Sequence, residues 1–434
     1  MNYKAALSLP LLLLAAFSHA ASSFKPLDSV TSKFFFADEK VSFLEGQSGL
    51  KLKQGSNLFL FEDGFYKPND KTVFYYQLKQ TWNNGELSSD IFRAYFKYSF
   101  AKLSIEAGRD SVNIGPGKYG ILLSNNAAPF PMLKLQTEEK LQFAGFWDFI
   151  ILNGWLNEKR LDTDNPKIFL VRLGWQPSSW LEIAGTRNTM YGGAGRPGYH
   201  IWDYPAMFLG KDENTSGGRF DNDGYVGWDA TIHLPAEKWS GGRFKTAKLY
   251  YSDNGTDMRA FWQKEDRGMK YYPPFGFRFM LTAYIGGIFL ETEKDAFRFE
   301  FMNTNPLFYI HHSYNLEGYT YKGLSLGEPY GRNIQHAFFT HNRKINDSTA
   351  FEYTLGYVKQ PAFKAKGETT MPPSAQRYYL TLAGSKRYNL VTIEPYIRLD
   401  KTRNYDTDPL PTQYTVVKQD KTFLTVGASV TYSF

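Results

Sequence analysis

The chain lacks cysteine altogether, and it lacks any long apolar run beyond its first 20 residues. Without cysteine, disulfide bonds cannot stabilise the fold and thiol chemistry is excluded. No later segment approaches the roughly 20 apolar residues that a membrane-spanning helix requires. A membrane protein built from this sequence therefore has to cross with strands, because only helices and closed barrels satisfy their backbone hydrogen bonds in lipid.

A strong charge of either sign is also missing. The formal net charge is +7 for 434 residues, and the charged residues are spread along the chain. This balance gives no support for a nucleic-acid partner. The basic excess fits an ordinary surface, a basic lumen or rim that faces an acidic polymer, or lysine and arginine side chains near anionic lipid headgroups.

Aromatic residues are abundant, with 36 Phe, 30 Tyr and 9 Trp, although the mean hydropathy is only -0.43. Both values fit a β-barrel with a polar lumen and with aromatic girdles beside an apolar belt. The last segment, Leu424 to Phe434, alternates apolar with small or polar residues. Such a terminal strand is typical of bacterial outer-membrane barrels, so the predicted partners are outer-membrane lipid and, through Phe434, the barrel-assembly machinery.

The first residues have the pattern of a secretory signal. A basic start, Met1 to Lys4, precedes an apolar stretch, Ala5 to Phe17, and the small-x-small sequence Ser18-His19-Ala20. We therefore predict a signal peptide over residues 1–20 and export through the general secretory route to the outer membrane.

Strand-like alternation recurs through most of the chain after residue 56. Phe297 and Phe299 flank Arg298, for example, which places charge on one face and aromatic rings on the other. In a barrel, the charged face lines a wet lumen and the aromatic face meets lipid. We predict an all-β fold, a monomeric transmembrane antiparallel barrel of about 18 strands, at roughly 20 to 25 residues for each strand and its connection. Residues 56–434 are assigned to this barrel and residues 21–55 to a short N-terminal periplasmic segment.

Three stretches break the alternation, at residues 108–136, 191–225 and 309–330. All three are longer and richer in Gly and Pro than hairpin turns, so we predict long loops that fold into or over the lumen and carry the function. The first contains Gly115-Pro116-Gly117, which imposes a backbone shape because Gly admits positive φ and Pro fixes its own φ.

An ordered series of motifs across these stretches resembles the Wzi family of outer-membrane capsule-assembly proteins. The series spans roughly residues 90–340 and comprises Gly-Pro-Gly, Asn-Asn-Ala-x-Pro-x-Pro, Gly-Gly-x-Gly-Arg-Pro followed by Trp-Asp, and then a His-His and a Gly-Tyr pair. The resemblance implies an 18-stranded barrel that helps to anchor or organise capsular polysaccharide, acting like a lectin and not as the export pore. Relatives carry a periplasmic helical bundle before the barrel, for which residues 21–55 are too few.

The second stretch is dense in residue types that bind sugars, since sugar recognition needs flat apolar faces and planar groups that form several hydrogen bonds. The third adds the histidine pair and the Gly-Tyr pair. The predicted binding residues for capsular or extracellular polysaccharide are Arg196, Tyr199, Trp202, Asp203, Asp212, Arg219, His311, His312 and Tyr319. In a purely structural alternative, Arg196 pairs with a wall carboxylate and Trp202 packs against the wall.

Neither a metal ion nor another cofactor is predicted. His311 and His312 are adjacent, and neighbouring residues on a strand point to opposite faces, so both cannot easily ligate one ion. Catalysis is not predicted either. An outer-membrane hydrolase stays an alternative, because aspartates of the second stretch would suit a glycosidase pair if their carboxyl groups were roughly 5 to 10 Å apart. The other alternative is a general or sugar-selective diffusion porin with a cation-lined lumen.

Overall fold

A computed structural model of the chain describes residues 24–40, 44–83, 85–211, 213, 216–260, 277–361, 373–405 and 416–434. The predicted signal peptide, residues 1–20, lies outside the described residues, and so does Asp212 of the predicted site.

Strands make up most of the described chain, and helices are few and short. Within the described residues, no helix has the length and apolar character needed to cross a bilayer. The strands are β1 (Phe24–Ala37), β2 (Gly55–Asn69), β3 (Thr72–Asn83), β4 (Glu86–Phe100), β5 (Leu103–Asp110), β6 (Phe130–Thr137), β7 (Leu141–Gln142), β8 (Phe146–Trp155), β9 (Lys167–Ser178), β10 (Leu181–Tyr191), β11 (Asp223–His233), β12 (Thr246–Ala260), β13 (Phe277–Glu291), β14 (Asp295–Thr304), β15 (Thr320–Tyr321), β16 (Leu324–Ser325), β17 (Gln335–Asn346), β18 (Thr349–Gln360), β19 (Ala375–Tyr388), β20 (Val391–Tyr405) and β21 (Val416–Ser433). The helical elements are a 3₁₀ turn (Ile201–Asp203), α1 (Tyr204–Phe208) and α2 (Ala236–Trp239).

The wall is a closed antiparallel barrel. Successive wall strands pair with one another, and β21 pairs back onto β1 from Ser29 opposite Ser433 to Ala37 opposite Thr425. β6 and β7 both pair with β8 and share one position in the wall, while β15 and β16 pair only with each other. The wall therefore has 18 positions, which confirms the predicted strand number.

The barrel begins earlier than the sequence pattern suggests. Phe24–Ala37, within the segment predicted to be periplasmic, is β1 and forms hydrogen bonds with both β2 and β21. The boundary at residue 56 is corrected accordingly. Three consecutive phenylalanines obscure the alternation, but Phe34 and Phe36 are each 45% exposed while Phe35 is 5% exposed. Phenylalanine suits both faces of β1. Phe34 and Phe36 face outward, and Phe35 packs in an apolar cluster inside the barrel.

The two faces of the wall differ in polarity as predicted. In β14, Phe299 is 49% exposed on the outside, whereas Glu300 beside it is fully buried inside. In β21, Leu424 and Tyr432 lie outside, and Thr425 is buried inside. Water would not stabilise an outer face of this composition, but lipid does.

The two ends of the barrel differ in the length of their connections. At one end, here called the short-turn end, residues 70–71, 101–102 and 389–390 are two-residue turns. At the opposite end, here called the long-loop end, five described connections are long. They are loop A (38–54), loop B (111–129), loop C (156–166), loop D (192–222) and loop E (305–334).

Loops B and E fill the barrel lumen with an apolar core. Leu123 of loop B and Tyr309 and Tyr319 of loop E are at most 2% exposed, and they share one buried cluster with the wall residues Ile285 and Phe338. The predicted folding of long loops into the lumen is therefore correct for these two loops.

The Gly-Pro-Gly sequence of loop B acts through backbone shape, as predicted. Gly115 has a φ of +112°, which side chains disfavour. A Cβ atom on Gly117 would lie 2.3 Å from Cδ1 of Ile285, so any other residue would require the Ile285 side chain to move. The next amide, of Lys118, donates a hydrogen bond of 2.7 Å to Oε1 of Glu300 in β14.

Loop A is held in the lumen by a buried ionic network. Arg398 of β20 pairs with Glu45 of loop A, and its Nε donates to Oδ2 of Asp400 at 2.8 Å. Arg377 of β19 donates to the other oxygen of Asp400 at 2.8 Å, and the hydroxyl of Tyr330 in loop E donates to Glu45. The carboxylates and guanidinium groups are nearly inaccessible to water, so each depends on its protein partners.

Acidification is expected to weaken this attachment of loop A. Burial raises the pKa of Glu45, but Arg398 and Arg377 lower it more, so it falls from 4.5 to about 2. Because the pKa is lower in the folded state, the contribution of the carboxylate, roughly 3 kcal/mol, is complete above about pH 4.5 and is lost as the pH falls toward 2. The heating temperature at which the folded gel band disappears should therefore fall across this window. This temperature should fall less for Glu45→Gln. An equal pH dependence of the wild type and the variant would contradict the role of Glu45 in attaching loop A.

Candidate functional site

Among the described residues of the long-loop end, loop D carries the most exposed large apolar side chains. Ile201 and Trp202 lie in its 3₁₀ turn and Leu209 follows α1, and these side chains are 73%, 87% and 72% exposed. We call this surface the loop D ledge. Met207 on the inner side of α1 is fully buried, so the short helix is fixed to the barrel while its outer side stays open to solvent.

A charged pair stands beside Trp202 on the ledge. Oδ2 of Asp203 accepts a hydrogen bond from the amide of His200 at 2.8 Å and one from Nη2 of Arg219 at 2.6 Å. These two donors hold the pKa of the Asp203 carboxyl below its usual range, so it is ionised at neutral pH. The ledge therefore combines a flat indole face with a carboxylate and a half-exposed guanidinium.

Tyr199 lies beneath the ledge and supports it. Its ring meets Tyr191 edge-on at 5.0 Å between centroids and packs on Phe220 at 5.7 Å. Because Tyr199 is half-buried between these rings, its main contribution is to the shape of loop D.

Loops D and E are joined by a buried carboxylate that the predicted site did not include. Asp221 of loop D is 2% exposed. It lies 3.1 Å from Nη2 of Arg196 and 2.9 Å from Nε2 of His312. Nη1 of Arg196 also donates to Oγ of Ser313 at 2.6 Å. We call these contacts the D–E joint. Burial raises the pKa of Asp221, but the hydrogen bonds from His312 and Arg196 outweigh it and lower the pKa.

The histidine pair departs from the expected geometry. The backbone is irregular at this point, and the rings of His311 and His312 lie 3.8 Å apart instead of pointing to opposite faces. With Asp221, they bring three possible metal ligands within 4.8 Å of one another.

The hydrogen bonds of these three groups do not suit a metal ion. Nδ1 of His311 accepts the amide hydrogen of Ser313 at 3.2 Å, so the neutral ring carries its proton on Nε2, the atom that would have to bind the ion. Burial and the neighbouring His312 lower the pKa of His311 to about 4, so the ring is neutral at physiological pH. Arg196 already supplies positive charge to Asp221.

Tyr319, the last predicted site residue, is part of the lumen core. It is fully buried, its hydroxyl accepts a hydrogen bond from Asn188 of β10, and its ring stacks on Tyr309 at 5.6 Å. A polymer outside the barrel cannot reach it, and the same holds for the 6% exposed His311. The Gly-Tyr motif is structural here, so the assignment of Tyr319 to the binding surface is corrected.

Nucleophilic catalysis finds no support at the D–E joint. Oγ of Ser313 accepts a hydrogen bond from Arg196 and lies 3.5 Å from Asp221. Within the part of the chain that the structure describes, no histidine hydrogen-bonds this hydroxyl, and an activated serine needs such a base.

A closed 18-position barrel with an apolar exterior and loops packed into its lumen defines the class: this is an outer-membrane β-barrel protein. The chain belongs to the family described as capsule assembly protein Wzi, whose model matches residues 44–391. The predicted resemblance is thereby confirmed. No curated protein matches the chain.

Solved structures share the barrel at low sequence identity. Wzi of Escherichia coli, described as an outer membrane protein involved in group 1 capsule assembly and as a carbohydrate-binding β-barrel, is 17% identical, with a TM-score of 0.67 over 94% of this chain and 85% of that one. OccD3 (OpdP) and OpdQ of Pseudomonas aeruginosa are each 9% identical. Their TM-scores are 0.53 over 94% of this chain and 91% of OccD3, and 0.51 over 95% of this chain and 98% of OpdQ. At these identities, the likeness shows the fold alone.

Proposed function

We propose that this protein binds capsular or extracellular polysaccharide at the cell surface and holds the polymer there, as a lectin does. The loop D ledge is the observation that carries the proposal. It offers Trp202 at 87% exposure beside the ion pair of Asp203 and Arg219. An indole face packs on the C–H groups of a sugar ring, and a carboxylate and a guanidinium bond its hydroxyl groups.

The position of the ledge supports this role. In bacterial barrels, short turns face the periplasm and long loops face outward. Loop D lies at the long-loop end, so the ledge meets the medium in which a surface polymer is found. Membership of the capsule-assembly family and the carbohydrate binding of the Escherichia coli relative point the same way.

The proposal divides the predicted residues by task. Trp202, Asp203 and Arg219 contact the polymer, Arg196 and His312 hold loops D and E together, and Tyr199 supports the ledge. Export by a signal over residues 1–20, recognition of the strand ending in Phe434 by the assembly machinery, and a monomeric barrel in lipid belong to the same proposal. No catalytic step and no cofactor is part of it.

Replacing Trp202 with alanine is expected to release surface polymer into the medium. Loss of an exposed tryptophan anchor should weaken binding of the purified barrel to the polymer by roughly tenfold or more. The measurement is the ratio of cell-bound to free polysaccharide, together with the amount of folded, heat-modifiable barrel.

Trp239→Ala is the matched control, because Trp239 is 53% exposed but lies in α2 at the short-turn end. Equal release by both variants would contradict the assignment, and loss of the folded band in Trp202→Ala would make the residue structural. A stable current from the purified protein in a planar bilayer would favour the porin alternative, since loops B and E would then leave an aqueous path.

A further inference from the structure

A second concave surface lies at the long-loop end, between loop A and strands β2 to β5. It is a cavity of about 250 Å³, closed on its inner side by loops B and E. This volume is slightly below the roughly 300 to 1,000 Å³ of pockets for drug-sized ligands, so it suits a single sugar ring. Its charged lining residues are Lys51, Lys79, Asp90, Arg109 and Lys322.

The charges of this pocket do not balance. Among the described lining residues, four cations face one carboxylate, that of Asp90, which lies 3.1 Å from Nη1 of Arg109 and 3.7 Å from Nζ of Lys322. Lys51 donates to the backbone carbonyl of Lys322 at 2.6 Å, which holds loops A and E together at the pocket. The described lining of the pocket is therefore basic, although the chain as a whole is not strongly charged.

Lys79 is the cation with the fewest partners. Among the described residues it forms neither an ion pair nor a hydrogen bond, and its Nζ lies 4.7 Å from the ring centroid of Phe92. Asn83, which also lines the pocket, has a buried Oδ1 atom without a hydrogen-bond donor in the described structure. An ammonium group and an amide oxygen are thus available to a ligand that brings an anion and a hydroxyl group.

One wall of the pocket is apolar. Phe59 and Phe92 are almost fully buried behind it, and Pro129 of loop B completes it. A bare anion such as phosphate makes no favourable packing contact with this wall, whereas the C–H face of a sugar ring packs against it.

We propose that this pocket binds a uronic acid residue of an acidic polysaccharide, with the sugar carboxylate on Lys79 and Arg109 and the ring against the apolar wall. The assignment rests on the proposed function and gives it a polymer class. The loop D ledge would then hold the chain of sugars, and the pocket would select for its acidic units.

The test is binding of two oligosaccharides of equal length, tetragalacturonate and maltotetraose, to the full-length barrel in detergent at low ionic strength. The wild-type protein should bind the acidic tetramer at least about tenfold more tightly, because a hydrogen bond to a charged group contributes about 1.5 to 3 kcal/mol. Lys79→Gln should remove most of this preference. Asp90→Asn should strengthen binding of the acidic tetramer several-fold, which a misfolded pocket would not do.

Lys53→Gln is the matched control. Lys53 belongs to loop A, like Lys51, but pairs with Glu86 outside the pocket. Its loss removes the same charge, so an equal weakening by Lys53→Gln and Lys79→Gln would mean a general electrostatic effect and would overturn the proposal. Equal affinity of the wild type for the two tetramers would overturn it too.

The outcomes separate this inference from the proposed function. Trp202→Ala should weaken the binding of both tetramers, whereas Lys79→Gln should weaken the binding of the acidic tetramer only. If the wild type binds neither tetramer while cells still retain their polymer, the pocket assignment fails and polymer anchoring stands.

Discussion

Replacing Arg398 with methionine is expected to destabilise the folded barrel by about 3 to 5 kcal/mol, because it leaves the buried carboxylate of Glu45 without its cation. Arg398 is 2% exposed and pairs with both Glu45 and Asp400. Asp400 keeps Arg377, but Glu45 loses its only described ion-pair partner. We expect the folded gel band to disappear at a lower heating temperature and loop A to become open to protease.

The double variant Arg398→Met, Glu45→Gln supplies the sharper comparison. Removing both partners of a buried pair costs less than removing one, so the second change should restore part of the lost stability. Arg387→Met serves as the control, since Arg387 is exposed near the short-turn end of β19. If the double variant is less stable than Arg398→Met, the network does not act as an ionic anchor for loop A.

The barrel wall was predictable because its signal is local. A strand that separates lipid from a wet lumen must alternate, and β14 and β21 show that alternation in a few residues. β1 was missed for the same local reason, since Phe34, Phe35 and Phe36 follow one another without a polar residue between them. Only the pairing with β21, some 400 residues away, assigns it to the wall.

The candidate site was predictable in its residue types but not in its arrangement. Trp202 and Tyr319 both stand in Gly-rich stretches and look equally suited to bind a sugar, yet one is 87% exposed and the other is fully buried. The partner of His312 is Asp221, 91 residues earlier in the chain. Contacts of this kind depend on how two loops enter the lumen, which no periodic pattern encodes.

The basic pocket shows the same limit. Alternation indicates that Lys79 of β3 and Arg109 of β5 face the lumen, but Lys51 and Lys322 come from two different loops. Their meeting point is set by the packing of loops A and E, so the sequence shows only a small, dispersed basic excess.

Replacing Asp221 with alanine is expected to lower polysaccharide affinity by roughly tenfold or more, the scale of a lost hot spot, although Asp221 does not touch the polymer. The carboxylate of Asp221 accepts hydrogen bonds from Arg196 and His312, and also from the amide of Gly217 at 3.3 Å. Without it, loop D should separate from loop E and the ledge should lose its fixed position. Oligosaccharide titration of the purified barrel measures the affinity, and protease cleavage within residues 192–222 reports the loop.

Asp221→Asn distinguishes position from charge, because the amide keeps the size of the side chain and one acceptor oxygen but removes the ion pair with Arg196. If the joint works by charge, Asn should resemble Ala in both affinity and cleavage; if it works mainly by shape, Asn should stay near the wild type. Asp347→Ala is the neutral control, as this carboxylate is 98% exposed in the turn between β17 and β18. Wild-type affinity together with wild-type cleavage in Asp221→Ala would show that loop D holds the ledge without loop E, and the D–E joint would then have no part in binding.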